Sequence, residues 1–524
     1  RAWDRSLPRD GKAVVEYKDK EGRVVLKKVQ IGTTVPSNYS GHDNFLCTYY
    51  IYDDLGQLRF VLPPKAVEAI KGNWLLGGQT DIIQELSFRY EYDERGRMKA
   101  KKVPGAGWVY MVYDVRDRLV FTQDANMRAK SQWLATLYDG LNRPVLTGMM
   151  TLGGQTPAML QTSVNTISSQ EPSTSGLQLD LSFSVATTGT KEALRSVMLE
   201  PGFENAGDFT AQIVSGTGGS DGETTMVDGI AVHKSPLPGG AVFVALTKTY
   251  YDDYNWTSKS YIAAYNNLLN AGSNLHVEPM PTAVEQQAYN VKAKGLVTGT
   301  RVRVLEDPNN IGAGKWLEAV SFYDNRGRVV QSQSDNFENG QDVVTSLYDF
   351  TGKVLSTYQV HQNPKATATG QLNVRTDYSY DHGGRLLEVH KVINDEESKK
   401  VLLAKNSYDE LGQLLKKQLG RQKDVNGVYT ATPLEQLDYT YNVRGWLSGI
   451  NRGYARPELP GSSTQSGRYF GMELSYDWGF DHNQYNGNIS GVRWRSKGDG
   501  EQRAFGFGYD AANRLLYADF NQRF

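Results

Sequence analysis

Apolar and polar residues alternate over short runs along most of this chain. Leu177, Leu179, Leu181, Phe183 and Val185 interleave with Gln178, Asp180, Ser182 and Ser184, the two-residue period of a half-buried strand. Tyr90-Glu91-Tyr92 and Arg97-Met98 carry the same alternation to either side of a polar break. The longest apolar stretch, around Ala241–Leu246, has the length of one strand, far short of the ~20 residues of a membrane span. Helical signals are few: Pro64–Ile70, which opens on proline, and Ser258–Leu269. The pattern predicts an all-β chain.

The polar breaks repeat. Tyr-Asp or Tyr-Asn opens the same short unit at Tyr52-Asp53, Tyr92-Asp93, Tyr113-Asp114, Tyr138-Asp139, Tyr323-Asp324, Tyr348-Asp349, Tyr380-Asp381, Tyr408-Asp409, Tyr441-Asn442 and Tyr509-Asp510. A looser copy is Tyr17-Lys18-Asp19. Three residues after the Asp or Asn stand Gly22, Gly56, Gly96, Asp117, Asn142, Gly327, Gly352, Gly384, Gly412, Gly445 and Asn513. Gly, Asn and Asp are the residues that tolerate a positive φ. An Asp at the first turn position accepts from the backbone N–H two residues on, and a left-handed fourth residue fits the turn to a twisted hairpin. Arg97, Arg118, Arg328, Arg385 or Arg514 follows, long enough to lie over the hairpin or to pair with the turn Asp. An apolar residue comes next, as at Leu58, Met98, Leu119, Val329, Leu386, Leu414 and Leu515. Each unit reads as strand, tight turn, strand.

Successive copies lie 40, 21 and 25 residues apart from Tyr52 to Tyr138, and 25, 32, 28 and 33 apart from Tyr323 to Tyr441. A propeller needs near-constant blades of ~40–45 residues. Variable spacing suits a continuous antiparallel sheet that grows by hairpins and must twist or curl. Residues 151–249 hold no copy and are rich in Thr, Ser and Gly. The expected organisation is a repeat segment at 1–150, an inserted β-rich domain at 151–249, and a second repeat segment at 250–524.

Composition narrows the classes. The 524 residues carry 57 Lys+Arg against 58 Asp+Glu, a balance that argues against a nucleic-acid binder. Gly at 53 and Tyr at 31 supply turns and strands. One cysteine excludes an internal disulfide framework. The chain opens on Arg1-Ala2-Trp3-Asp4 without a signal-peptide pattern and is expected to be part of a longer protein.

The unit Tyr-Asp-x-x-Gly-Arg-Leu resembles the YD repeat of the RHS family, which includes bacterial polymorphic toxins, the cocoon-forming subunits of insecticidal Tc toxins, and the teneurins. The stretches Arg89–Arg97, Val103–Trp108 and Asn483–Ile489 resemble the Bacteroidetes branch. Within the insertion, Leu199–Phe203 followed by Gly207–Ala211 is similar to a small β module of exported Bacteroidetes proteins. The resemblance implies a β-sheet spiralling into a hollow shell around a C-terminal toxin. It also implies secretion, by the type 9 route, to the cell surface or beyond, and an immunity protein for the toxin. The family's autoproteolytic Asp-Pro has one counterpart here, Asp307-Pro308, which lacks the following Gly-Leu. Cleavage site, shell closure and toxin are therefore expected beyond Phe524.

Candidate chemistry is sparse. The recurring Asp53, Asp93, Asp324, Asp349, Asp381, Asp409, Asn442 and Asp510 resemble a catalytic or calcium-binding array, but turn capping explains their fixed distance to Gly56, Gly96, Gly327, Gly352, Gly384, Gly412, Gly445 and Asn513. The tyrosines suit either a sugar-stacking surface or cross-strand packing. Ile311-Gly312-Ala313-Gly314-Lys315 lacks the first glycine and the Ser or Thr of a phosphate loop. Asp481–Gly487 breaks the ligand register of a calcium loop at Tyr485 and Asn486. His382 reads as a turn residue, and Cys47 reads as a small hydrophobe in a strand. No cofactor, metal site or catalytic residue is nominated. The expectation is a non-enzymatic shell that encloses and carries a C-terminal toxin for secretion and interbacterial competition. The alternatives are a cell-surface adhesin or glycan-binding protein, with Trp446 as the first contact, and a glycosidase or lyase built on facing carboxylates.

Overall fold

The computed structural model describes residues 3–6, 14–31, 41–72, 74, 84–168, 180–183, 187–193, 196–199, 203, 205–213, 224–282, 293–367, 370–422, 424–462, 467–510 and 513–521. It is all-β, with sequential strands joined antiparallel into extended sheet. The chain divides into two units, one of residues 1–50, 258–292 and 321–524, the other of 51–257 and 293–320.

In the second of these, nearly every strand pairs with the next in sequence. Leu58–Leu62, Phe88–Tyr92, Met98–Lys102, Val109–Tyr113, Leu119–Gln123, Gln132–Tyr138 and Pro144–Thr151 follow one another in register. The main sheet is left at Thr151 and rejoined by Phe243–Tyr251, which pairs back onto Pro144–Thr151. The rejoining strand begins within the 151–249 stretch. The hairpin Thr224–Val227 and Ile230–His233 lies in this excursion, and Ile230 and Val232 share a core with Leu137, Val145, Leu146 and Ala245. The alternating run at 177–185 lies partly outside the described residues. Its described part, Asp180–Phe183, is a strand, though paired parallel with Ser196–Leu199.

A second core joins strand and helix. Val112, Val120, Phe121, Trp133, Ala135 and Met150 are buried with Leu160 and Val164 of the helix Pro157–Ser168. Composition hid this helix inside a Thr- and Ser-rich stretch. Its local signal is Thr156-Pro157: the Thr156 Oγ1 accepts the Met159 N–H at 3.2 Å, and proline suits the first helical position. Leu160 and Val164 then stand four apart on the buried face. Pro64–Ile70 is helical, with Ala66, Val67 and Ile70 buried.

The other unit holds Val14–Lys18, Val24–Gln30 and the start of Phe45–Tyr52 as neighbours. Its longer series pairs antiparallel in strict order from Val329–Asp335 to the last strand, Leu515–Asn521. Residues 258–269 were expected to be helical. Only Ala263–Leu268 coils, as a 3-10 helix. The remainder is held extended by the sheet beneath: Gln331 exchanges hydrogen bonds with the Ile262 backbone and Gln333 donates to the Ser260 carbonyl. Ile262, Tyr265, Leu268 and Leu269 pack on Val343, Tyr358 and Val360.

Candidate functional site

The repeated turns form one geometric device. The first-position N–H donates to the carbonyl four residues on, and the fourth residue's N–H returns to the first carbonyl, as at Asp93, Arg97 and Gly96, 2.9 and 3.0 Å. The fourth residue is left-handed in all eleven copies: Gly22, Gly56, Gly96, Gly327, Gly352, Gly384, Gly412 and Gly445 lie at φ 74 to 89°, and Asp117, Asn142 and Asn513 at 61 to 63°. The register slips by one residue just before Tyr92, Tyr113, Tyr138, Tyr348, Tyr380, Tyr408, Tyr441 and Tyr509, and just after Tyr17 in the first copy. This is the bulge that lets a type I turn close a twisted hairpin.

The Asp does more than cap. Asp93 Oδ1 accepts the N–H of Arg95 at 3.0 Å and of Arg97 at 2.9 Å, while Oδ2 accepts Arg97 Nε at 2.7 Å. The same three bonds recur at Asp114 with Arg118, Asp139 with Arg143, and Asp324 with Arg328. Asp53 and Asn442 each accept both N–H groups, and Asp381 and Asp510 each bind the N–H and Nε of the following arginine. Asp349 and Asp409 accept the N–H of Lys353 and Gln413, since neither turn has an arginine there. Burial alone would raise the Asp93 carboxyl, but the Arg97 side chain and the two N–H groups outweigh it and hold the group below its ordinary range.

The arginine links each turn to the next hairpin. The Arg97 guanidinium lies 4.8 Å from the Tyr113 ring centre, Arg118 4.9 Å from Tyr138, Arg328 5.0 Å from Tyr348 and Arg385 4.8 Å from Tyr408. Each tyrosine hydroxyl then donates to the carbonyl of the residue after that arginine, at 2.9 Å: Tyr113 to Met98, Tyr138 to Leu119, Tyr348 to Val329 and Tyr408 to Leu386. Tyr380 and Tyr441 make the same bond to Val354 and Leu414. Burial pushes the Tyr113, Tyr138 and Tyr380 hydroxyls up, so they stay protonated donors. Asp, Arg and the next Tyr thus interlock one hairpin with its successor.

Two further Tyr-Asp pairs join this row although they lie outside the eleven copies. Tyr251 donates to the Pro144 carbonyl at 3.1 Å and stacks 4.2 Å from Arg143. Tyr476 donates to the Leu447 carbonyl at 2.8 Å. Neither is followed by the type I turn, so turn spelling alone overlooks them; the visible signal is the Tyr-Asp pair itself.

The other candidate residues are placed plainly. Trp446 is half-buried, with the Arg444 guanidinium 5.1 Å from its ring and Tyr476 at 5.2 Å. A side chain on Gly487 would meet its ring at 3.3 Å, so the indole is already engaged by its own chain. Asp307 caps an exposed turn, accepting the Asn309 N–H at 2.8 Å. Cys47 is buried in its strand. A cavity of about 280 Å³ is lined by Asp481, His482, Ser490, Arg493, Tyr517 and Asp519. Ser490 is fully buried there, with no partner for its hydroxyl. No group of three or more His, Cys, Asp and Glu suited to a metal ion occurs among the described residues. No helix among them is long and apolar enough to cross a membrane.

No family model and no curated protein matches the chain. Among solved structures, it is similar to the crystal structure of TcdB2-TccC3, at 13% identity and a TM-score of 0.32, covering 96% of this chain and 20% of that one. It is likewise similar to TcdB2-TccC3-Cdc42, at 12% identity and a TM-score of 0.31, covering 96% and 20%. A third is the Photorhabdus luminescens Tc holotoxin pore, at 14% identity and a TM-score of 0.31, again covering 96% and 20%. The chain spans about a fifth of the length of these structures.

Proposed function

We propose that this chain is a non-enzymatic shell segment of the RHS or YD-repeat type, of the Bacteroidetes branch. Its hairpin sheet curls around a toxin encoded C-terminal to it. One observation carries the reading: the interlock in which an Asp holds an Arg and the next hairpin's Tyr covers that Arg. Such a device selects no ligand. Its product is a sheet that extends hairpin by hairpin, and each added strand contributes about 20–25° of twist, so a long sheet of this kind curls. The carboxylates that resemble a catalytic array are occupied by backbone N–H groups and arginines. In this reading the protein is secreted by the type 9 route, acts in competition between bacteria, and is accompanied by an immunity protein for its toxin.

Limited proteolysis of the natural full-length polypeptide tests the carrier role. The C-terminal segment should resist protease until mild denaturant opens the sheet, and should become equally digestible afterwards. Equal digestion before and after contradicts the reading. So does hydrolysis of peptidoglycan, nucleic acid or glycans by purified residues 1–524 that one carboxylate substitution abolishes.

A further inference from the structure

The loop from Asp477 to Ile489 folds back over one face of the sheet. Its base is fixed by the backbone: the Gln484 N–H donates to the Tyr476 carbonyl, and the Ser490 N–H to the Ser475 carbonyl at 2.7 Å. Glycines in the strands beneath make room for its aromatic rings. A side chain on Gly491 would strike the Phe480 ring at 2.5 Å, and one on Gly508 would strike the Tyr517 ring at 2.2 Å. A cavity of about 280 Å³ remains between Phe480, Asp481 and His482 of the loop and Arg493, Tyr517 and Asp519 of the strands. Pairing places Asp519 opposite Gly506 and Tyr517 opposite Gly508, so the neighbouring strand Gln502–Tyr509 sets the position of both.

Two orphan hydroxyls lie at this cavity. Ser490 lines it, and Ser475 sits under Gly479, its Oγ 3.6 Å from where a Cβ on that glycine would stand. Both serines are fully buried, and neither hydroxyl has a hydrogen-bond partner. Buried hydroxyls are nearly always paired, so such a couple beside a cavity calls for a partner within it. The walls select the class of partner. Arg493 offers N–H donors, Asp481 and Asp519 offer carboxylate acceptors, and a serine hydroxyl does either. Charges of both signs suit neither a simple anion nor a simple cation. Phe480 and Tyr517 add aromatic surface against which a ring can lie. A neutral ring bearing several hydroxyls uses all of these groups at once.

We propose that this cavity binds a pyranose sugar, with Arg493, Asp519 and Ser490 holding its hydroxyls and the Tyr517 ring against its C–H face. The site is separate from the turn interlock and does not depend on the carrier reading.

The probes are the methyl α-glycosides of glucose, galactose and mannose, and N-acetylglucosamine, each titrated into the whole chain by saturation-transfer-difference NMR. Saturable binding of at least one, in the millimolar range, is expected. Asp519→Asn should weaken it about tenfold, the worth of a hydrogen bond to a charged group, and Ser490→Ala about fivefold. Arg493 also holds the loop, donating to the Gly479 carbonyl at 3.4 Å. Asp519 is exposed, so its replacement is the one least able to disturb the fold, which circular dichroism checks. Failure of all four probes to saturate at tens of millimolar leaves the cavity to water and overturns the proposal. Sugar binding that Asp519→Asn and Ser490→Ala both leave unchanged lies elsewhere and overturns it too. So does saturation by inorganic phosphate alone that Arg493→Ala abolishes, which makes the cavity an anion site.

Discussion

Arg143 and Asp252 form a two-pronged ion pair, Nη1 to Oδ1 at 3.0 Å and Nη2 to Oδ2 at 2.5 Å, across 109 positions of sequence. Arg143 Nε stays on its own turn residue, Asp139, at 2.7 Å. One guanidinium therefore ties the strand that leaves the main sheet to the strand that returns to it. The Arg143 hydrogen bonds hold Asp252 below the usual carboxylate range despite its partial burial.

A double-mutant cycle with Arg143→Gln and Asp252→Asn should give a coupling energy of about 1 kcal/mol, lower at high salt, because both side chains are partly exposed to screening. Urea unfolding measures it. A coupling indistinguishable from zero at low salt contradicts the stitching role.

The turns should show a gradient set by burial. Replacing Gly96, Gly327 or Gly412 with Val forces a branched residue into a left-handed conformation, at a cost of about 1–3 kcal/mol each. Asp114→Ala leaves the buried Arg118 without its carboxylate and should cost about 3 kcal/mol or more. Asp93→Asn keeps an acceptor for both N–H groups and should be milder than Asp93→Ala. Asp381→Ala should have a much smaller effect than Asp114→Ala, since Arg385 is half exposed. Equal losses at Asp114 and Asp381 would show that the ion pair contributes nothing beyond the turn.

Tyr138→Phe keeps the ring over Arg118 and removes only the bond to the Leu119 carbonyl. A loss of about 1 kcal/mol is expected. Tyr138→Ala should lose about 3 kcal/mol or more through the vacated ring. Equal losses from the two variants would assign the whole effect to packing.

Much of this was legible in the sequence, for a physical reason. The turn needs one residue at positive φ, and only Gly, Asn and Asp meet that need at low cost, so Gly96, Asn142 and Asp117 mark the hairpins. The all-β class followed from strand alternation between the marks. The interlock was not legible, because it joins Arg97 to Tyr113 and Arg143 to Tyr251 through sheet register, which spacing alone does not fix. The helix Pro157–Ser168 was lost to composition: Thr and Ser on its exposed face outweighed Leu160 and Val164 on its buried one. Residues 258–262 behave as an extended strap because Gln331 and Gln333 claim their backbone, a contact with sequence positions far downstream.

Stability should fall at both pH extremes. Asp93, Asp252, Asp349 and Asp377 have folded pKa values below the ordinary 3.8, because their arginine, lysine and N–H partners outweigh burial where burial opposes them. Depressed acids contribute stability that is fully present above the unfolded pKa and is lost as pH falls through the lower folded one. The loss therefore begins near pH 4. Tyr113, Tyr138, Tyr251 and Tyr380 are raised above 10 by burial, so their contribution is complete below pH 10 and declines above it. Urea midpoints measured from pH 2 to 11 should form a plateau with shoulders near 4 and 10. A midpoint that keeps rising as pH drops from 4 to 2 contradicts the acid limb.

If, as proposed, the interlocked hairpins form a curved wall around solvent, small-angle X-ray scattering of residues 1–524 will distinguish it from a filled globule. A solid globule of this length has a radius of gyration of about 24 Å. A curved wall should give a clearly larger value and a distance distribution with the depleted centre of a hollow or C-shaped particle. A radius near 24 Å with the smooth single-peaked distribution of a filled sphere would contradict it.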